Sequence, residues 1–330
     1  LDPTGPDIGG SLLPFPRMEV TALAGGIGAG KFLRGLRRVV GDEHLTVVGN
    51  TGDDLVIHGL RVCPDLDSVA YWLSGAGDRD RGWGRGGETF RATEELRRLA
   101  PDRAWFGLGD LDLAVHLLRT GRLDEGATLT AVTAEIAAAL GLRVRLLPMS
   151  DDGVTTRVIV ATSEGDRDLH FQDYWVRGGG RDPVRAVRYE GAAAARPGPD
   201  VLEAIASADA VVVCPSNPVA SIGPILAVPG VRDALAARRP TVVGVSGIVA
   251  GAPLGGMADR LLPAVGAEVS ALGAARCYEG FLGGWLVDAR DRDLAPAISA
   301  TGITVGVADT IMTDDDVAEA VARAVLGLLP

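Results

Sequence analysis

The feature that most constrains this chain is a short run of apolar and small residues, VTALA at Val20–Ala24, that passes directly into Gly25–Gly26–Ile27–Gly28–Ala29–Gly30–Lys31. Such a run bounded by glycine reads as a buried strand, and the glycines permit a tight turn into a helix. The pattern places the start of that helix near Lys31 and its end near Val40. A second strand is predicted over 45–48, closing at Gly49 and Asn50. Strand, glycine turn, helix and parallel strand in this order open a doubly wound sheet.

Further along, helical patterns fall at 65–74, 94–99, 112–119 and 131–140. Alternating residues over 156–162 and 168–176 predict an antiparallel hairpin turning around 164–166. Parallel-strand signals resume at 210–214, 241–245, 284–287 and 303–307. A closing helix over 315–328 has Asp314, Asp315 and Asp316 at its positively polarised N-terminus. The expected fold is therefore α/β, a doubly wound, mostly parallel Rossmann-like sheet with a largely helical insertion and a β-hairpin. Residues 18–330 read as one domain, with 75–190 a cap-like insertion on the sheet's carboxyl edge. Residues 1–17 lack the basic start and apolar block of a signal peptide and read as an unstructured leader or an expression remnant.

Composition narrows the function classes. The formal net charge of −11 argues against broad attachment to nucleic acid by counterion release. No apolar run is long enough for a membrane span. Cys63, Cys214 and Cys277 are too few and too scattered for a disulfide or zinc framework, which points to a reducing cytoplasm. The alphabet is also skewed: Lys31 is the only lysine, Gln172 the only glutamine, and Asn50 and Asn217 the only asparagines. We read these survivors as positions where a compact ammonium or a neutral amide is required. Chance among so few residues is the competing reading.

The candidate functional residues cluster in four segments. Residues 25–31 satisfy G-x-x-x-x-G-K, in which Gly25, Gly26, Gly28 and Lys31 could cradle phosphate oxygens at a helix start. Phe32 follows where a P-loop needs Ser or Thr for Mg²⁺, and a purely structural glycine turn would read the same. Residues 50–54 (NTGDD) and 63–67 (CPDLD) both fall near the sheet's carboxyl edge. Carboxylates of Asp53 and Asp65 could meet there around Mg²⁺, with Asp67 nearby; a turn and a helix cap are the structural alternatives. Residues 215–218 (PSNP) place Ser216 and Asn217 in a proline-fixed turn after another buried strand. His170–Phe171–Gln172–Asp173–Tyr174–Trp175 reads more readily as a packed hairpin than as a ligand shelf. His44, His58 and His116 have no metal-ligand spacing.

Taken with GLGDLDLAVHLLR (107–119), LLPMSDDGVTT (146–156), PSNPVASIGPI (215–225) and ADTIMT (308–313), these segments resemble the 2-phospho-L-lactate transferase family of coenzyme F-420 biosynthesis. The RGWG segment (81–84) is most similar to its actinobacterial, phosphoenolpyruvate-type branch. The resemblance implies transfer of a phospho-three-carbon-acid group, enolpyruvyl or lactyl, from a guanosine diphospho-linked donor to the ribityl hydroxyl of the deazaflavin Fo, with release of GMP. It implies that Asp53 and Asp65 hold Mg²⁺, that Asp67 contacts the deazaflavin, and that residues 25–31 with Ser216 and Asn217 hold the guanosine phosphates. It also implies a homodimer. Some members carry a basic residue where this chain has Gly107, and no general base is identified. The competing function classes are a P-loop-like nucleotide kinase or NTPase and a non-catalytic nucleotide or deazaflavin sensor.

Overall fold

The computed structural model describes residues 17–330, so the leader expected over 1–17 lies almost wholly outside the described residues. Fourteen strands are present in that span: β1 (Val20–Ala24), β2 (Leu45–Gly49), β3 (Leu55–Ile57), β4 (Leu60–Val62), β5 (Arg145–Pro148), β6 (Thr155–Thr162), β7 (Gly165–His170), β8 (Val184–Glu190), β9 (Ala210–Val213), β10 (Val242–Val245), β11 (Ile248–Val249), β12 (Ala252–Pro253), β13 (Gly284–Asp288) and β14 (Thr304–Ala308). Seven of them form one sheet in the order β14-β13-β10-β9-β1-β2-β5. Every pairing in it is parallel, with Val20 opposite Leu45 on one side and Ala210 on the other.

A strand buried on both faces needs apolar residues at every position, and β1, β9 and β10 are buried throughout. Alternate residues feed two core layers. Leu23, Val48, Val211 and Val213 enter one; Ala22, Ala24, Val47 and Val212 enter the other. In the second layer α1 (Gly26–Val40) packs through Phe32, Leu33 and Leu36 against α2 (Pro64–Ser74) and the C-terminal helix (Asp315–Leu326). Gly35 makes this approach possible, because a Cβ there would lie 2.1 Å from the Ala318 backbone. Asp314 caps the C-terminal helix as its acidic start suggests, with Oδ1 accepting from Asp316 N and Val317 N at 3.0 and 2.9 Å.

Three expectations are corrected. Helix α1 spans from Gly26, five residues before Lys31: the chain turns at Gly26, whose φ of +71° glycine accommodates, and is helical through the rest of the glycine run. The second hairpin strand ends at His170. Residues Asp173–Arg177 form a single π-helical turn, anchored where Tyr174 Oη donates to the carbonyls of Gly180 and Asp182 at 3.2 and 3.1 Å. A third strand, β8, then completes an antiparallel sheet in the order β7-β6-β8. Residues 75–190 carry α3 (Arg91–Leu99), α4 (Asp110–Asp124) and α5 (Leu129–Ala139). They also carry β5, an edge strand of the main sheet that the sequence reading did not separate from its helical surroundings. Cys63, Cys214 and Cys277 are free thiols. Among the described residues no helix is long and apolar enough to cross a membrane.

Candidate active site

Open parallel sheets gather ligands where neighbouring connections leave in opposite directions. Here that point lies between β1 and β9, since the chain runs from β1 to β2 and β5 on one side and from β9 to β10, β13 and β14 on the other. The loops after β1, β2 and β9 carry three of the four segments singled out by sequence, and the fourth, 63–67, opens α2.

After β2, the fully buried Asn50 organises the cluster. Its Nδ2 donates to Asp53 Oδ1 at 3.2 Å, to Asp65 Oδ2 at 2.9 Å and to the Ala220 carbonyl at 3.2 Å, while its Oδ1 accepts from Gly52 N at 2.8 Å. Two carboxylates from separate segments thus converge on one amide nitrogen. Asp65 stands in the first turn of α2 and also accepts from Ser221 and from the Gly26 N–H at the start of α1. Gly25 is required by this packing, because a Cβ there would fall 2.3 Å from Asp65 Oδ2 and 2.7 Å from Ser221 Cβ.

The loop after β9 closes the ring. Ser216 Oγ accepts from Gly25 N at 3.2 Å. Asn217 Oδ1 accepts from Val219 N and Ala220 N at 2.9 and 3.1 Å, fixing the π-turn Pro218–Ile222 that presents the Ala220 carbonyl to Asn50. The Gly25 and Gly26 N–H groups are therefore already engaged. Ile27 and Gly28 follow in the same first turn, where helix geometry provides no intrahelical acceptor. That turn can receive an anion.

Lys31 is placed differently from a P-loop lysine. It stands exposed in the second turn of α1, with Nζ 6.0 Å from the centroid of the Trp72 ring. Phe32 is fully buried in the core. Asp67, expected to contact the deazaflavin, is 5% exposed and is paired within the protein. Arg119 pairs with both of its oxygens, Nη1 lying 3.0 Å from Oδ2, and His116 Nδ1 lies 3.7 Å away.

Sequence reasoning undervalued Gln172 and did not single out Arg119. Gln172 Nε2 donates to Asp53 Oδ2 at 2.7 Å from the end of β7, and neighbouring His170 Nε2 donates to the Asp54 carbonyl at 3.1 Å. Scarcity was the available signal: the sole glutamine and one of two asparagines flank a single aspartate.

The electrostatics follow from burial without a cationic partner at the pair. Burial pushes Asp65 up to about 6, against the stabilising hydrogen bonds from Asn50, Ser221 and Gly26. Asp53 is pushed well above the usual carboxylate range by burial and then by the charges of Asp65 and Asp54, with Gln172 opposing. Burial also raises Asp54. Its Oδ1 and the Thr51 hydroxyl are buried without a partner. Such a set favours a bound cation. Among the described residues no three or more His, Cys, Asp or Glu side chains are grouped to hold a metal by themselves. Two carboxylates completed by water and substrate phosphate suit Mg²⁺.

Thr51 and Asp54 lie at one side of an open cleft of about 770 Å³. Leu55, Val56 and Val62 of the β3–β4 hairpin, Trp105, Leu129 and His170 line it, together with residues 151–155. A cleft of this volume has room for a sizeable organic ligand.

Fold and site together define a doubly wound α/β protein with an acidic cluster and an adjoining cleft at its switch point. Residues 20–320 match the family described as 2-phospho-L-lactate transferase CofD, and the chain belongs to that transferase family. It is 49% identical over 312 residues to the phosphoenolpyruvate transferase of Streptomyces griseus, covering 94% of this chain and 98% of that one. It is 46% identical over 320 residues to that of Thermobifida fusca and 42% identical over 327 residues to that of Mycolicibacterium smegmatis, with the same coverage. A solved UPF0052-family protein of Bacillus halodurans shares the fold, with a TM-score of 0.60 at 19% identity over 94% of this chain and all of the other.

Proposed function

We propose that this protein transfers a phosphoenolpyruvyl group, or its 2-phospholactyl counterpart, from a guanosine diphospho-linked donor to the ribityl hydroxyl of the deazaflavin Fo, releasing GMP in coenzyme F-420 biosynthesis. The observation that carries the reading is the meeting of Asp53 and Asp65 at the Asn50 amide, with Asp65 bonded to the Gly26 N–H of α1 and Asp53 next in sequence to the cleft-lining Asp54. The names of the actinobacterial relatives favour the enolpyruvyl donor.

Asp53 and Asp65 would hold Mg²⁺, which when bound neutralises charge on the diphosphate. The open N–H groups of α1 and the loop carrying Ser216 and Asn217 receive the guanosine phosphates. The cleft takes the tricyclic acceptor, with Trp105 and the hairpin residues Leu55, Val56 and Val62 as apolar walls and Thr51 and Asp54 beside the reacting end. The acceptor oxygen forms a bond to the phosphorus that bears the three-carbon acid. The bridging P–O bond breaks, and its electron pair leaves with GMP. The hydroxyl proton passes to water, since a carboxylate holding a cation is a poor base. Catalysis of this kind rests on positioning and charge neutralisation. A homodimeric, cytoplasmic enzyme is part of the proposal, and sedimentation tests its oligomeric state.

Incubation with Fo, each candidate donor and Mg²⁺, followed by mass spectrometry, tests the reading. Dehydro or saturated F-420-0 together with stoichiometric GMP is expected. ATP or GTP turnover without deazaflavin, and no coupled product, overturns it.

A further inference from the structure

We infer that Gln172 is a positioning residue for the transfer: its side-chain amide fixes the Asp53 carboxylate in the orientation that, with Asp65, receives a divalent cation. The inference rests on the proposed cation site and goes beyond it, because Gln172 lies in the segment following β7, remote in sequence from both aspartates, and is not itself a ligand in that reading.

Each oxygen of Asp53 is held by a neutral amide. Asn50 Nδ2 reaches Oδ1 at 3.2 Å, and Gln172 Nε2 reaches Oδ2 at 2.7 Å. Donors on both oxygens lock the carboxylate plane while leaving further lone pairs available. Neutrality is essential to that arrangement. An arginine at 172 would pair with the carboxylate as Arg119 pairs with Asp67, cancelling the charge that attracts the cation. The chain uses arginine almost wherever it needs a strong donor, yet its only glutamine stands here, 4% exposed.

The amide is itself braced. Gln172 N donates to His170 Nδ1 at 3.0 Å, and His170 Nε2 donates to the Asp54 carbonyl at 3.1 Å, so this segment is joined to residues 53–54 at two points. The buried Tyr174 anchors the following π-turn. A wall of the cleft and a cation ligand are in this way held in one register, and outer donors of this kind typically govern metal affinity.

The test compares Gln172→Met, which keeps volume and removes the donor, with the parent chain. Mn²⁺ binding in the presence of GDP is read by electron paramagnetic resonance, without turnover. Mn²⁺ affinity should fall about 10–100-fold, and the Mg²⁺ concentration for half-maximal turnover should rise in parallel. The KM for the deazaflavin acceptor should stay within about twofold, as expected for a residue that does not touch it. Circular dichroism and thermal unfolding report whether the variant is folded. If it is not, Gln172→Asn keeps an amide one methylene too short to reach, and the same fall is expected. Parent-like Mn²⁺ affinity in a folded variant, or an effect confined to acceptor KM, overturns the inference while leaving the cation reading intact. A parent chain that binds no Mn²⁺ with GDP overturns both.

Discussion

Asn50 lies 2.9 Å from Asp65, joining the loop after β2 to the first turn of α2 through a single buried hydrogen bond. The same amide serves Asp53 and the Ala220 carbonyl, so one side chain ties three segments together. Replacing it strips donors from buried acceptors, which costs about 1–3 kcal/mol for each group left unpaired. Asn50→Ala, which strips a partner from Asp53, Asp65, the Ala220 carbonyl and Gly52 N, should lower stability in urea unfolding by at least the amount for one such group and reduce turnover much further. A variant with normal turnover would show that the amide does not organise the site.

The two carboxylates answer to pH in a definite direction. Asp65 is raised from its ordinary value of 3.8 to about 6 in the folded chain, so in the absence of a cation its contribution to stability is full below 3.8 and is lost as pH rises through about 6. Asp112, also raised by burial to about 6, contributes in the same sense, and buried His116, lowered to about 4, in the opposite sense, so the metal-free profile alone mixes these groups. The difference between Mg²⁺ and chelator isolates the acidic pair. Thermal midpoints should separate little at pH 5 and clearly at pH 7.5, with Mg²⁺ stabilising, because the carboxylates must be ionised to bind it. A difference independent of pH would argue that the ion binds elsewhere.

Gly25 is extended, with φ −162°, so its requirement is spatial rather than conformational. Gly25→Ala would drive a methyl group into Asp65 and Ser221. Overpacking of this kind costs about 1–3 kcal/mol, and the displaced carboxylate should reduce kcat well beyond what that figure implies for folding. Gly255→Ala, whose Cβ would meet nothing within 4 Å, is the matched control and should change little.

Arg119 and Asp67 form a buried bidentate pair that holds α4 against the start of α2. Removing one partner leaves an uncompensated charge, at a cost of about 3–5 kcal/mol. Arg119→Met should therefore unfold at distinctly lower denaturant concentration. The double variant with Asp67→Asn should recover part of that loss. Equal losses in single and double variants would mean that packing, not charge, accounts for the effect.

How much of this was legible in the sequence depended on the range of the interaction concerned. The β1–glycine–α1 opening and the buried strands β9, β10 and β13 announce themselves through local apolar runs. Convergence of Asp53 and Asp65 followed from the placement of both segments near the sheet's carboxyl edge, although the Asn50 amide that joins them is a contact no spacing encodes. Residues 168–176 alternate like a strand throughout, yet the chain leaves the sheet after His170 because the contacts of Tyr174 favour a π-turn. Strand β5 is only Arg145–Pro148, too short to stand out beside α5, and its pairing with β2 is wholly tertiary. The G-x-x-x-x-G-K spacing marked Lys31 as a phosphate candidate, but not that its exposed side chain would lie near Trp72, distant in sequence. Gln172 reaches Asp53 across 119 positions of sequence, and only its scarcity hinted at a role.

The central claim is that Asp53 and Asp65 jointly hold a divalent ion, and anomalous diffraction from a crystal soaked with Mn²⁺ and GDP tests it most directly. The account predicts a single strong anomalous peak within coordination distance of both carboxylates and of a GDP phosphate oxygen. A peak that touches neither carboxylate, with GDP bound away from the first turn of α1, would contradict it.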